Sequence, residues 1–443
     1  MKVCFCTAAK NRTNHVKETL AKNMAGNPGH TFVMLDYNSD DLDSVIQSAF
    51  RCQIASGQLV YYRNKDARVF LMTHAKNSAH RCGMLENADI LCNLDADNFA
   101  PPGFGDYIKE IFDRTKLDPQ EPFLWSRMAK GKIPRGISGR IVVSKNAFLC
   151  AGGYDEAPEF QVHSPDDRDC NLRLRRLGFN AFEIDSRFLQ CVAHNDRMRF
   201  KQYPEAKEMQ WIMSPINRVV NNGHIGCGTV FRNFDPTPIQ VPPIPTRVFG
   251  IGMHKTATTS LHAAFTLLGF KSGHWENAHW AKAVWVEMRH LGKSQSLERF
   301  YAASDTPIPQ LYRELDKAYP NSKFILTVRD EKDWLDSARR HFNPQFNPFA
   351  RAWDDDPFTH RMHRHIYGTE KFDAALFLAA YRRHNAEVLA YFKDRPDDLV
   401  VMDMSQKAGW KELCGFLGVP VPNVAYPTMG TMGLTAQEES PYS

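Results

Sequence analysis

Two carboxylates one residue apart, at the end of an apolar run, are the first residues here that could do chemistry. NADILCNL leads into Asp95-Ala96-Asp97-Asn98, and a strand ending in Asp-x-Asp can aim both side chains into one crevice. There they suit a hard divalent cation, Mg²⁺ or Mn²⁺, which completes its shell with substrate phosphate and water. Acidic pairs also decorate ordinary turns, so the pair alone leaves both readings open. A second acidic group, Asp166, Asp167 and Asp169, stands between a glycine turn (AGGYDE) and the helical NLRLRRLGF. Carboxylates there strengthen the case for a site and equally fit the positive end of a helix dipole. His194, beyond the apolar FLQCV, has the chemistry of a metal ligand, although a lone histidine is more often structural.

The second half carries a different kind of site. A short strand, Arg247 to Gly252, runs into HKTATTS and then the helical HAAFTLLGF. Strand, hydroxyl-rich turn and helix present backbone N–H groups and a positive dipole end to an anion. Lys255 adds a charge. The turn is not a Walker A loop, because the second glycine is missing and Lys255 lies several residues before Ser260. A second strand, Lys323 to Val328, ends in Arg329-Asp330, and a helix carrying Ser337 follows. Arg329 with Ser337 could clamp a second phosphate. Arg329 could equally be a surface ion-pair partner.

The elements that must hold these residues are short apolar strands alternating with helical patterns. Val3–Ala8, Thr31–Leu35, Leu59–Tyr62 and Ile90–Leu94 read as strands; Asn14–Asn23, Asp41–Ala49 and Phe70–Glu86 read as helices. That alternation predicts an α/β fold with a largely parallel sheet and ligands at the carboxyl ends of its strands. Between the halves, DPTPIQVPPIPT carries five prolines, which exclude a helix and a central strand and predict an extended linker. The expected organisation is 1–233, a linker over 234–246, and 247–443.

The order of stations in the first half (CTAAKNR, LDYNSDD, LCNLDADN, AGGYDE, PDDRDCNLRLRRLGF and VAHN) resembles the nucleotide-sugar glycosyltransferases of the GT-A fold. The likeness is to the family-2 enzymes and the β-1,4-galactosyltransferases, over roughly residues 1–225. It implies that Asp97 ligates the metal with His194, that Asp95 supports metal or ribose, and that Asp36 and the Ala9–Arg12 turn face the nucleotide base. By the same likeness Asp167 is the catalytic base and Asp166 binds acceptor, where the family has Glu. The implied reaction is an inverting displacement from a nucleotide-sugar, UDP-linked by that resemblance. In the second half HKTATTS, SDTP, YPNSKFILTVRD and YRRHNAEVLAYF resemble the sulfotransferases that use 3′-phosphoadenosine 5′-phosphosulfate (PAPS), over roughly 247–427. This implies a P-loop-like α/β fold in which Lys255, Thr256, Thr258, Thr259 and Ser260 hold the 5′-phosphosulfate and Arg329 and Ser337 hold the 3′-phosphate. For the acceptor's base the candidates are Asp305, which is favoured, and His254, His274 and His279. Trp275, Trp280 and Trp285 could wall a sugar site, although packing is the commoner use of such residues.

Composition narrows the classes. The chain has 443 residues, 43% hydrophobic and 24% charged, with a formal net charge of +5, which fits two globular domains and gives no case for nucleic acid. No apolar run reaches the roughly 20 residues of a membrane span. Met1 leads straight into strand-like VCFCTAA, so no signal peptide is expected, and ten cysteines without a Cys-x-x-Cys pair predict reduced thiols and a cytoplasmic setting. The expected partner is a carbohydrate or glycolipid acceptor, with peripheral membrane contact if the acceptor is a lipid. A nucleotide-kinase-like second half, or one half kept only as a carbohydrate-binding module, remains an alternative.

Overall fold

The computed structural model describes residues 1–116, 120–126, 137, 139–161, 165–192, 220–342 and 356–428. The chain divides into two compact units, Met1–Ile244 and Pro245–Ser443.

In the first unit, β1 (Val3–Ala9), β2 (Thr31–Asp36), β3 (Leu59–Arg63) and β4 (Ile90–Asn93) form the parallel centre of a nine-stranded sheet. A two-stranded ribbon pairs β5 (Asn98–Phe99) with a later strand. The main sheet continues beyond β4 with β7 (Ile141–Ser144), β6 (Pro122–Trp125) and β8 (Asn180–Glu183), and the ribbon closes with β9 (Gln190–Cys191). β1 lies between β2 and β4 and is buried along almost all its length, as parallel strands covered on both faces are. Val3 and Phe5 join Phe32, Met34, Phe104 and Ile108 in the core on one face. Cys4 and Cys6 turn to the other, against the helix Met72–Leu85. Gly83 permits that approach, since a Cβ there would stand 2.9 Å from Cys6 Sγ.

At the other edge, β10 (Gly228–Arg232) pairs antiparallel with β3, and β11 (Pro238–Val241) pairs antiparallel with β10. Part of the expected linker is therefore a strand. Its proline count is compatible with this because β11 is an outermost strand and begins on Pro238, where a missing N–H costs no central ladder bond. Ile244 is also tied to this unit, its N–H donating to Gly223 O at 2.9 Å.

The second unit is a five-stranded, all-parallel sheet in the order β13 (Ser272–His274), β14 (Ala302–Ser304), β12 (Val248–Gly250), β15 (Lys323–Val328) and β16 (Leu399–Asp403). Because every pair is parallel, all five carboxyl ends share one edge. Phe249, Phe324, Leu326 and Trp334 lie in its core with Trp280, while Trp275 and Trp285 pack against it. Among the described residues, no helix is long and apolar enough to cross a membrane.

Candidate active sites

In the first unit, the carboxyl end of β4 delivers Asp95 and Asp97 as half-buried residues. Asn93 Nδ2 bridges Asp95 Oδ1 at 3.2 Å and Gly139 O at 2.8 Å. Asn98 Nδ2 donates to Asp97 Oδ1 at 2.7 Å, and Asp97 O accepts from Val192 N at 2.7 Å. The chain leading toward 194 thus runs beside Asp97, while His194 itself lies outside the described residues.

Across the crevice, the helix Asp166–Arg176 starts on Asp166 and Asp167. Lys76, from the helix Met72–Leu85, spans them, with Nζ 2.6 Å from Asp166 Oδ2 and 2.8 Å from Asp167 Oδ1. Gly139 leaves room for the group, because a Cβ there would stand 2.8 Å from Asp95 Oδ2 and 3.1 Å from Asp167 Oδ2. Asp95, Asp166 and Asp167 therefore share one cluster with a lysine that sequence reasoning missed. The helix is buried almost all round, and a lysine buried in this way needs a carboxylate.

Burial opposes charge on Lys76, but Asp166, Asp167 and Asp95 outweigh it and hold its pKa well above the usual value. Burial, then the Asp167 charge, pushes Asp166 up to about 7. An unfolded aspartate titrates near ~3.9, so between roughly pH 4 and 7 the folded chain keeps a proton that the unfolded chain has lost. The contribution of this group to stability is expected to fall as pH rises through that window. Denaturant melts of wild type and Asp166→Asn should diverge across that range; parallel pH profiles would rule the shift out.

The turn after β2 is built from within. Asp36 is 0% exposed, accepts from Ser39 N at 2.6 Å and Tyr61 Oη at 2.8 Å, and lies 3.6 Å from Arg63 Nε. Its carboxylate is spent inside the turn. Ala9 pairs with Asp36 at the strand ends, and Arg12 precedes the helix Thr13–Gly26 as its N-cap. Asn11 and Thr13 fasten this turn to Asp40 and Asp41. The carboxylate oxygens of Asp95 and Asp97 are of the type a hard divalent ion takes. Among the described residues no three His, Cys, Asp or Glu side chains converge as a metal cage.

In the second unit the shared sheet edge gathers four stations. His274 ends β13, Asp305 follows β14, Lys255 lies in the turn after β12, and Arg329 follows β15. Lys255 and Ala257 have φ of 66° and 64°, and the N–H of Thr256 between them closes the turn onto Met253 O at 3.3 Å. Gly252 is required beneath, since a Cβ would meet Thr327 Oγ1 at 2.0 Å. Thr256 is fully buried, with its hydroxyl 2.6 Å from both Met253 O and Thr327 Oγ1. Its side chain closes the loop. Thr258 and Ser260 are buried at the start of the helix Thr258–Leu267, and Thr259 is exposed.

Burial lowers the Lys255 pKa, Asp305 opposes this, and Arg329 and Arg340 add to the lowering. Lys255 thus has two arginines and one carboxylate within electrostatic reach. The backbone of Arg329 is clamped by Tyr381, whose hydroxyl accepts from Arg329 N and donates to Arg329 O, both at 2.9 Å. Ser337, on the helix Glu331–His341, is 1% exposed and its Oγ has no protein partner. A buried orphan hydroxyl beside this edge fits a missing phosphate oxygen. Of the remaining base candidates, His254 is buried against Tyr367 Oη at 2.7 Å, and His279 is exposed.

Residues 247–432 match the family model described as "Sulfotransferase domain". The second unit is a sulfotransferase domain. A curated relative, "Ava biosynthesis cluster protein M" of Aspergillus versicolor, is 26% identical over 217 residues, covering 42% of this chain and 81% of its own. Among solved structures, the mannosyltransferase PcManGT of Pyrobaculum calidifontis, in complex with GDP-Man and Mn²⁺, is 15% identical at a TM-score of 0.34. That match covers 45% of this chain and 59% of the other. TarS of S. aureus is 13% identical at a TM-score of 0.32, covering 42% and 58%. This chain spans less than two thirds of the length of either structure, and similarity at this level carries no argument about activity. In the sulfotransferase unit, by contrast, the matched segment contains every station of the sheet-edge site.

Proposed function

We propose that the chain is a bifunctional transferase. The first unit moves a sugar, with inversion, from a UDP-sugar to a saccharide or glycolipid, and the second moves a sulfuryl group from PAPS to a carbohydrate hydroxyl. The observation that carries the reading is the sheet edge of the sulfotransferase unit, where Lys255 lies within electrostatic reach of Arg329 and the helix that follows Arg329 holds the buried, unpartnered Ser337 hydroxyl. Support for the first unit comes from the Asp95, Asp166 and Asp167 cluster at the carboxyl end of a parallel sheet.

In the sugar site, Asp97 with His194 would hold Mg²⁺ or Mn²⁺, which when bound neutralises the departing diphosphate. Asp95 stands beside ribose or metal, Asp36 and the Ala9–Arg12 turn shape the base side, and Asp166 faces acceptor. Asp167 takes the proton of the attacking hydroxyl. In the sulfuryl site, Lys255, Thr256, Thr258, Thr259 and Ser260 line the 5′ end of the donor through backbone and side chain. Arg329 and Ser337 take the 3′-phosphate. Asp305 stands on the acceptor side, facing Lys255. The setting is cytoplasmic, and a lipid acceptor would bring the enzyme to a membrane surface.

Mass spectrometry of octyl glycosides incubated with a UDP-sugar panel and PAPS, separately and together, tests the whole reading. Hexose addition is expected with UDP-sugar alone, abolished by chelator and by Asp97→Ala, and sulfate addition with PAPS alone, intact in that variant. Sugar transfer that survives both treatments would remove the metal role, and phosphate transfer from ATP would replace the sulfotransferase chemistry.

A further inference from the structure

We infer, on the sulfotransferase reading above, that the indole of Trp275 is the platform against which the acceptor's sugar ring lies during sulfuryl transfer. Three tryptophans follow the phosphate turn, and the fold uses two of them up. Trp280 is buried, its Nε1 donates to Ser296 O at 3.1 Å, and Phe300 meets its ring edge-on. Trp285 meets His365 edge-on, with ring centroids 5.0 Å apart, and Arg289 lies over its ring. Trp275 packs against the core yet stays half-buried. Among the described residues no side chain stacks on its ring and none bonds its indole N–H.

Its backbone is held in place for such a task. Trp275 is the first residue past β13 and has φ 42°, left-handed geometry that a bulky side chain rarely adopts. Glu276 Oε1 accepts the His274 N–H at 3.3 Å, and Asn277 Oδ1 accepts the Trp280 N–H at 2.8 Å. The ring is thus carried on a turn pinned to the strand before it and the helix after it. Such outliers persist where the surrounding structure over-determines them, and they gather at ligand sites. His274 is level with Ser304. Trp275 and Asp305, which also has a positive φ at 66°, are therefore the first residues past two neighbouring strands.

The order of the strands says which ligand reaches this step. From the edge inward it runs β13, β14, β12, β15, and the donor's residues, Lys255 and Arg329, follow β12 and β15. Trp275 therefore stands on the side away from the 3′-phosphate. Strands lie about 4.8 Å apart, which sets Trp275 two strand spacings from the strand that feeds the phosphate turn. That interval has the scale of one sugar ring. The face of an indole is negative, and the C–H groups on one side of a pyranose are weakly positive. A pyranose laid flat there keeps its hydroxyls at the rim, one of them toward the donor.

The test uses the full chain and methyl glycosides, which carry a ring and no tail. Trp275→Ala is expected to raise their KM in sulfuryl transfer about tenfold. Trp275→Phe keeps an aromatic face and should raise it only about two- to threefold. Binding of 3′-phosphoadenosine 5′-phosphate should be retained in both. The preference for methyl glycosides over glycerol, which has hydroxyls and no ring, should fall about tenfold in Trp275→Ala. With the nucleotide bound, titrating methyl glycoside should change tryptophan emission in wild type and not in Trp275→Phe. That arm stands even where Trp275→Ala fails to fold. An unchanged KM in Trp275→Ala, an equal loss toward glycerol, or an emission change that persists in Trp275→Phe overturns the platform. Weaker nucleotide binding in both variants also overturns it, by placing the indole against the donor. A wild-type chain that neither binds the nucleotide nor transfers sulfate would overturn the sulfotransferase reading itself, an outcome distinct from the others.

Discussion

Asp167→Asn is expected to lower turnover in sugar transfer by about 10²–10⁴, with the KM for nucleotide-sugar little changed. The amide keeps the shape and loses the basic oxygen. Lys76 makes the outcome informative, because Nζ lies at nearly equal distance from Asp166 and Asp167, and so each carboxylate is oriented by the same cation. Lys76→Met should do something different. It leaves two carboxylates, one of them 3% exposed, without their partner, and loss of one side of a buried pair costs about 3–5 kcal/mol. Thermal melts should therefore separate the two variants, Lys76→Met unfolding early and Asp167→Asn melting close to wild type. A rise in KM without loss of kcat in Asp167→Asn would make it a binding group and move the base to Asp166.

Lys255→Ala is expected to slow sulfuryl transfer by about 10²–10³, the scale seen when one donor to a developing oxyanion is removed. Its charge is most useful as the phosphate oxygen departs, so binding of 3′-phosphoadenosine 5′-phosphate should weaken much less. Arg329→Ala should show the reverse pattern, with weaker binding of the 3′-phosphorylated nucleotide and little change for adenosine 5′-phosphosulfate. Calorimetry on both nucleotides separates these roles. Equal weakening for both in Arg329→Ala would reduce Arg329 to a structural residue held by Tyr381.

What was legible in the sequence was legible for a physical reason. LDADN, HKTATTS and TVRD stand out because polar residues follow directly on apolar runs, and parallel strands gather such ends on one edge. Lys76 was missed because a lysine on a helix reads as surface, and only the burial of Met72–Leu85 on both sides makes it central. β13 and β14 are three residues each, too short to show a period of two, so the adjacency of His274 and Asp305 was invisible although both residues were candidates. Asp36 was noticed for its charge, but charge alone does not reveal that Tyr61, Ser39 and Arg63 consume it. Thr256 was noticed as a loop hydroxyl for the same reason, and Thr327 across the sheet is what occupies it.

The edge strand Pro238–Val241 decides where this chain can be cut. A fragment ending at 233 would carry β10 with its outer N–H and C=O groups bare, an open seam on which a second copy could pair. Trimming after 244 keeps that seam closed by the native strand, and it keeps the tie between Ile244 and Gly223. The prolines that mark the segment as a spacer also make it a poor template for further pairing, because the residue at each proline offers no donor to a new neighbour. The same twelve residues thus finish one sheet and discourage it from growing.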